Sequence, residues 1–302
     1  MLLVGLAPTE RPVAGYVGAF FGDRRVVVNV RGFHPRAPGS ICRNEEVKGD
    51  SMSGILETPE GRRIAYDRIG GAGPGVVFLG GFRSDKEGTK ALALEDWARK
   101  AGRAFLRFDY SGHGASSGDF LDGAIGDWFA DARAAILGLT EGPQVLVGSS
   151  MGGWISLLMA RAHPEKVAGL VTVAAAPDFT EDGMWGGFSE DQRRALMEEG
   201  QVALPSDYSD EPYIITRRLI EEGRGRLVLR APLSLPMPVR MLQGTADTDV
   251  SVDVALRLLD HAEGGDIRLT LVKGADHRFS TPECLKLIEL SVKKVVERAR
   301  HG

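Results

Sequence analysis

The chain has 302 residues, with 37 basic and 41 acidic side chains, a net charge of −4 and 43% hydrophobic residues. That length suits one α/β domain, and the charge balance supplies no basic footprint for nucleic acid. Cys42 and Cys284 are too few for a disulfide framework and lack metal-ligand spacing, and no apolar stretch of about 18 residues is present to span a membrane.

The first fifty residues differ in texture from the rest. They hold Pro8, Pro12, Pro35, Pro38 and six arginines up to Arg43, against Glu10 and Asp23 as the acids of that stretch. Met1 to Leu6 is too short for a secretory apolar segment and has no positive residue ahead of it. The composition predicts a poorly structured, dispensable arm over 1–52, with Met52 as an alternative start, in a cytoplasmic protein. Read as a transit peptide, the same arginines would direct the chain to the mitochondrial matrix.

From residue 61 onward, strand-like and helix-like segments alternate. Arg63 to Asp67 and Gly75 to Leu79 read as strands, Lys90 to Ala101 as a helix, and Ala104 to Phe108 as a strand. Asp109 to Ser116 is a Gly-rich turn. It lacks the lysine of a phosphate-binding loop, and its His113, between two glycines, reads as a structural turn residue. Trp128 to Leu137 reads as a helix, Gln144 to Gly148 as a strand, Trp154 to His163 as a helix and Gly169 to Ala175 as a strand. Short apolar strands alternating with helices imply a mostly parallel sheet covered on both faces.

The strand Val145-Leu146-Val147 runs into Gly148-Ser149-Ser150-Met151-Gly152 and then a helix. A serine between two glycines at such a junction is the nucleophile-elbow pattern, which turns sharply and lifts one hydroxyl above the sheet. The residues two before and two after that serine are crowded and want no Cβ. Ser150 has Gly148 and Gly152 there, whereas Ser149 would have Val147 and Met151. Ser150 is the expected nucleophile and Ser149 a packed turn residue.

A block from 178 to 235 interrupts the alternation. It contains Met184-Trp185-Gly186-Gly187-Phe188, a charged helix from Glu190 to Glu199 and a helical stretch from Tyr213 to Glu222. It reads as a lid inserted between two core strands, and such lids shape acyl pockets and exclude water. Met184, Trp185, Phe188, Leu204 and Tyr213 are either pocket-lining candidates or ordinary lid core.

A serine hydroxyl needs a base, and on this kind of scaffold the acid and then the histidine follow in the chain. Val239 to Gln243 reads as a strand followed by Gly244-Thr245-Ala246-Asp247-Thr248-Asp249-Val250. The spacing favours Asp247 as the acid, with Asp249 as fallback and as the better helix cap for the segment starting near Ser251. His261 closes the helix Val252 to His261 and His301 stands next to the end. His277 instead sits in the loop after the alternating strand Ile267 to Val272, where a catalytic base belongs. Asp276, beside it, is expected to point away from the ring. Pro282 to Arg298 reads as a closing helix.

The tetrahedral intermediate requires two backbone donors. One is expected from Met151, directly after the nucleophile, and one from Phe82 in Gly80-Gly81-Phe82-Arg83-Ser84-Asp85, after the strand ending at Leu79. Arg83 is either a surface charge or a partner for an acidic substrate group.

These segments, together with Arg107 to Gly114, Ala176-Pro177-Asp178-Phe179-Thr180 and Asp276-His277-Arg278, resemble the alpha/beta-hydrolase superfamily from about Gly54 to Ala299. More narrowly they are similar to its branch of small acyl esterases that includes a mitochondrial palmitoyl-protein thioesterase. The resemblance implies the alpha/beta-hydrolase fold over 53–300, a Ser150-Asp247-His277 triad, no cofactor and no metal. It implies a small acyl ester or thioester as partner, or an acylated protein. The alternatives are a peptidase of the same superfamily and a hydrolase fold kept as a non-catalytic binding protein.

Overall fold

In the computed structural model, which describes residues 17–21, 24–28, 51–204 and 212–299, the apolar runs pair into one eight-stranded sheet. Its strands are β1 (Ser51–Glu57), β2 (Arg63–Ile69), β3 (Ala72–Leu79), β4 (Arg103–Phe108), β5 (Gln144–Ser149), β6 (Val167–Val173), β7 (Val239–Gly244) and β8 (Ile267–Val272). They lie in the order β8-β7-β6-β5-β3-β4-β2-β1. Only β2 runs antiparallel to its neighbours, and the other pairings of this sheet are parallel.

The two-residue period of a strand sorts each central strand between two layers. Val77 and Leu79 of β3, Leu146 of β5, Leu170 of β6 and Met241 of β7 join one core, with helices α2 (Ile125–Leu139) and α3 (Met151–Ala162). Val76, Phe78, Val145, Val147, Val171, Val173 and Leu242 join the other, with α1 (Thr89–Lys100) and α7 (Pro282–Ala299). Both faces are therefore covered. The carboxyl ends of the parallel strands lie along one edge, where open α/β sheets place their ligands.

Several elements depart from their sequence-based bounds. α2 begins at Ile125, not Trp128, because the Asp127 carboxylate accepts the amide of Ala124 and caps the helix from within; position 124 offers no polar side chain to announce it. α3 begins at Met151 rather than Trp154, the elbow passing directly into helix. Strand β1 has no sequence-based counterpart, since its Met52 and Ile55 are solvent-exposed at the sheet edge and give no alternation.

The insertion after β6 holds a π-helical turn (Thr180–Trp185), α4 (Glu190–Glu199), a two-stranded hairpin (Gln201–Leu204 with Tyr213–Thr216) and α5 (Arg217–Arg224). The helical reading of 213–222 is corrected over its first four residues, which are strand. Ile214, Ile215 and Thr216 are β-branched and favour extended pairing. Thr216 then caps α5 by accepting the amide of Leu219. Beyond the insertion, α6 (Val252–His261) leads from β7 to β8.

The strands Val17–Phe21 and Arg24–Val28 pair antiparallel within a separate unit, Met1–Arg43. The remainder of the expected arm through residue 50, with Met1, Cys42 and the alternatives attached to them, lies outside the described residues.

Candidate active site

Strand β5 delivers Ser150 at its end with φ 52° and ψ −116°, a left-handed geometry that costs an L-residue about 1–3 kcal/mol. The surrounding backbone holds it there. The Ser150 amide donates to Val173 O at 2.9 Å, and its carbonyl accepts Gly153 N at 2.9 Å and Ala176 N at 3.1 Å. A Cβ on Gly148 would lie 2.3 Å from Gly152 O, so the crowding across the turn is real on that side. A Cβ on Gly152 would instead strike Leu79 O at 2.1 Å and Gly80 O at 2.5 Å. The second glycine is thus required by β3, not by its partner in the motif.

The loop after β8 carries His277 over this hydroxyl. The Ser150 O–H donates to His277 Nε2 across 3.1 Å, and the opposite ring nitrogen, Nδ1, donates to Asp247 Oδ2 at 2.9 Å and lies 3.1 Å from Oδ1. The loops after β7 and β8 are packed together: Ala246 N donates to Ala275 O at 3.0 Å, and a Cβ on Gly244 would lie 2.2 Å from the same oxygen. Lys90 of α1 donates to Arg278 O at 2.6 Å, and Asp276 accepts Phe279 N at 3.0 Å, which turns its carboxylate away from the ring.

Asp247 has a fully buried side chain. Its Oδ1 accepts the amides of Asp249 and Val250 at 3.0 and 2.8 Å, and its Oδ2 accepts the side-chain amide of Gln243 at 2.9 Å. Burial pushes this carboxyl up, but the hydrogen bonds from His277, Val250 and Gln243 and the His277 charge outweigh it and hold the pKa below the ordinary value. Gln243 escaped the sequence reading because a buried amide inside an apolar strand leaves no motif. Asp249, the fallback acid, lies 3.9 Å from Nε2, on the Ser150 side of the ring, and cannot orient Nδ1. It does not cap α6 either; the N-cap is Ser251. Among the described residues Asp247, Asp249 and His277 could offer ligand atoms within 4.8 Å of one another. Both Asp247 oxygens are already committed to the donors just named.

The other histidines stand apart from this arrangement. His261 contacts Ala231 O at 2.6 Å, and His34 and His301 lie outside the described residues.

Behind Ser150 lies the loop after β3. A Cβ on Gly81 would stand 3.4 Å from Ser150 Cβ, so this backbone passes directly against the elbow. Met151 is the first residue of α3, where amides have no intrahelical acceptor and the helix dipole favours negative charge. The Phe82 ring meets Phe120, Trp128 and Phe179 edge-on at 4.9, 5.8 and 5.8 Å. Phe179 in turn meets Trp154 at 5.6 Å. This aromatic cluster draws on five separate segments, and no local pattern in the chain announces it.

Arg83 also has a positive φ, 57°, and places its guanidinium 5.1 Å from the ring centres of both Phe120 and Tyr213. Of the other substrate-contact candidates, Trp185 stands between Arg193 and Arg224 at 5.3 and 4.7 Å, Phe188 is buried and Met184 half-buried. The Trp185 and Phe188 rings meet edge-on at 6.4 Å.

A family model described as "Serine aminopeptidase, S33" matches residues 76–206. A rat protein named "Palmitoyl-protein thioesterase ABHD10, mitochondrial" is 34% identical over 260 residues, 86% of each chain. Its human counterpart is 34% identical over 288 residues, 94% of this chain and 92% of that one. Among solved structures, a putative hydrolase from Agrobacterium vitis S4 superposes with a TM-score of 0.76 at 38% identity, over 82% of this chain and 98% of that one. Mouse alpha/beta hydrolase domain-containing protein 10 superposes with a TM-score of 0.77 at 33% identity, over the same shares of the two chains, 82% and 98%.

Proposed function

This chain belongs to the alpha/beta-hydrolase superfamily, in the branch of the ABHD10 thioesterases, and we propose that it cleaves carboxylic esters or thioesters through an acyl-enzyme formed on Ser150. The observation that carries the reading is the continuous Asp247–His277–Ser150 hydrogen-bond chain at the carboxyl edge of the sheet.

The Ser150 oxygen attacks the acyl carbon while its proton passes to His277 Nε2. The carbonyl π pair moves onto oxygen, and the amides of Phe82 and Met151 receive the resulting charge, each such donor stabilising a transition state by about 2.7–4 kcal/mol. Asp247 keeps the Nδ1 proton in place and offsets the imidazolium charge. Collapse of the tetrahedral intermediate breaks the bond to the leaving alcohol or thiol, which takes the Nε2 proton. Water then gives a proton to His277, attacks the acyl-enzyme and releases the acid, and Ser150 recovers its hydrogen.

The name of the matched family model favours a second substrate class, amides of amino acids, which the same chemistry serves. Turnover of an aminoacyl amide faster than of an acyl ester would transfer the assignment to it. The mitochondrial relatives support the transit-peptide alternative for location, and N-terminal sequencing of the natively expressed protein decides it.

A fluorophosphonate probe tests the nucleophile. Labelling of the wild type that disappears in Ser150→Ala is expected; a variant that still labels, or still turns over esters, removes Ser150 from the mechanism.

A further inference from the structure

The Gly-rich turn after β4 takes no part in the chemistry above, yet it holds the loop after β3 at three points. Tyr110 donates its hydroxyl to Gly80 O at 3.4 Å, Arg83 N donates to His113 Nε2 at 3.3 Å, and Lys86 N donates to Asp109 Oδ1 at 2.6 Å. The middle contact falls on the peptide bond directly following Phe82.

His113 is 4% exposed and packed edge-on against Tyr110, Phe120 and Trp128 at 5.6, 5.1 and 5.2 Å. Its Nδ1 lies 3.1 Å from Ser111 O, an oxygen that already accepts Trp128 Nε1. A carbonyl can only accept, so Nδ1 carries the proton and Nε2 presents a lone pair to Arg83 N–H. Only the neutral ring in this tautomer satisfies both contacts. Burial pulls the His113 pKa below its ordinary value and the charge of Arg83 adds to that, against the Ser111 contact and the buried Asp131 of α2.

From this geometry we infer that His113 is a positioning residue for the oxyanion-binding loop. Phe82 is bounded by two peptide planes. The one before it is set by Gly81 against the elbow and by Ser84 N donating to Gly81 O at 3.2 Å. The one after it leads into Arg83, whose left-handed φ of 57° is strained for an L-residue and needs an outside anchor. His113 Nε2 is that anchor. The 82–83 peptide is the centre of the turn that Ser84 N closes on Gly81 O, so releasing it from His113 loosens that bond and with it the 81–82 plane that carries the Phe82 N–H. The inference rests on the serine-hydrolase reading.

The test compares His113→Phe, which keeps a ring among the aromatics but no acceptor, with His113→Gln, whose amide oxygen can reach the Nε2 position. Losing an oxyanion donor outright costs about 10²–10³ in kcat, so misplacing one is expected to cost roughly ten- to a hundredfold in His113→Phe, with KM unchanged. His113→Gln recovers most of it. A boronic acid that adds to Ser150 binds His113→Phe correspondingly more weakly. Wild-type kcat in His113→Phe, a loss confined to KM, or a glutamine variant no better than phenylalanine overturns the inference. Should His113→Phe not fold, His113→Asn, whose shorter amide cannot reach Arg83 N, replaces it: kcat well below that of His113→Gln supports the anchor, and equal kcat rejects it. The two readings fail separately. A wild type that resists fluorophosphonate ends the serine mechanism, whereas a wild type and His113→Phe labelled at equal rates end only this inference.

Discussion

Replacing Asp247 by Asn changes one atom and tests how the imidazole is held. The amides of Asp249 and Val250, at 3.0 and 2.8 Å from Oδ1, decide which atom of the new side chain stays oxygen. The new NH2 therefore stands where Oδ2 was, facing His277 Nδ1 and Gln243 Nε2, each 2.9 Å from that position. Gln243 cannot answer by turning its amide, because its Nε2 also donates to Val250 O at 2.9 Å and the turn would set Oε1 against that carbonyl. His277 can answer only by moving its proton to Nε2, which then points a hydrogen at Ser150 instead of a lone pair. In a Ser-His-Asp site this exchange costs about 10⁴ in kcat, or about 5 kcal/mol on the barrier. The assay is steady-state hydrolysis of a p-nitrophenyl ester, with a thermal melt to show that the variant folds. A kcat within tenfold of wild type, or a larger loss in Asp249→Asn than in Asp247→Asn, would refute the reasoning.

Gly152→Ala should destabilise the fold by about 3 kcal/mol, because its Cβ would lie 2.1 Å from the backbone oxygen of Leu79; a urea midpoint equal to wild type contradicts this. Because His113 has a depressed folded-state pKa, its contribution to stability is present above its ordinary value of 6.5 and is lost as pH falls toward the folded value. The stability gap between wild type and His113→Phe should therefore narrow from about pH 7.5 to about pH 5.5, and a gap constant over that window argues against a buried neutral ring. Arg83→Ala is expected to lower turnover of an ester carrying an anionic group more than that of a neutral one, and equal effects on both would make Arg83 a surface charge.

Much of the architecture was legible because short, nearly continuous apolar runs mark the central strands β3, β5 and β6, which are buried on both faces. Edge strand β1 was not, since a strand with one neighbour and exposed apolar residues carries no such pattern. The hairpin strand Tyr213–Thr216 was misread as helix because four residues are too few to separate the two periods. At the candidate site, chain order and position after strands pointed to Ser150, Asp247 and His277, which the structure brings within hydrogen-bond reach. What supports them was hidden. Gln243 reads as strand, His113 reads as turn, and the ring cluster around Phe82 is assembled from segments spread over about a hundred residues, so only the folded chain juxtaposes them.

The central claim is a covalent bond between Ser150 and the acyl group. Rapid mixing with an activated ester, followed by acid quench and mass spectrometry of the digested protein, measures it directly. The account predicts a burst of leaving group equal to the enzyme concentration and an acyl mass on the peptide containing Ser150. An acyl group on another residue, or single-turnover hydrolysis that proceeds at full rate in Ser150→Ala, would contradict it.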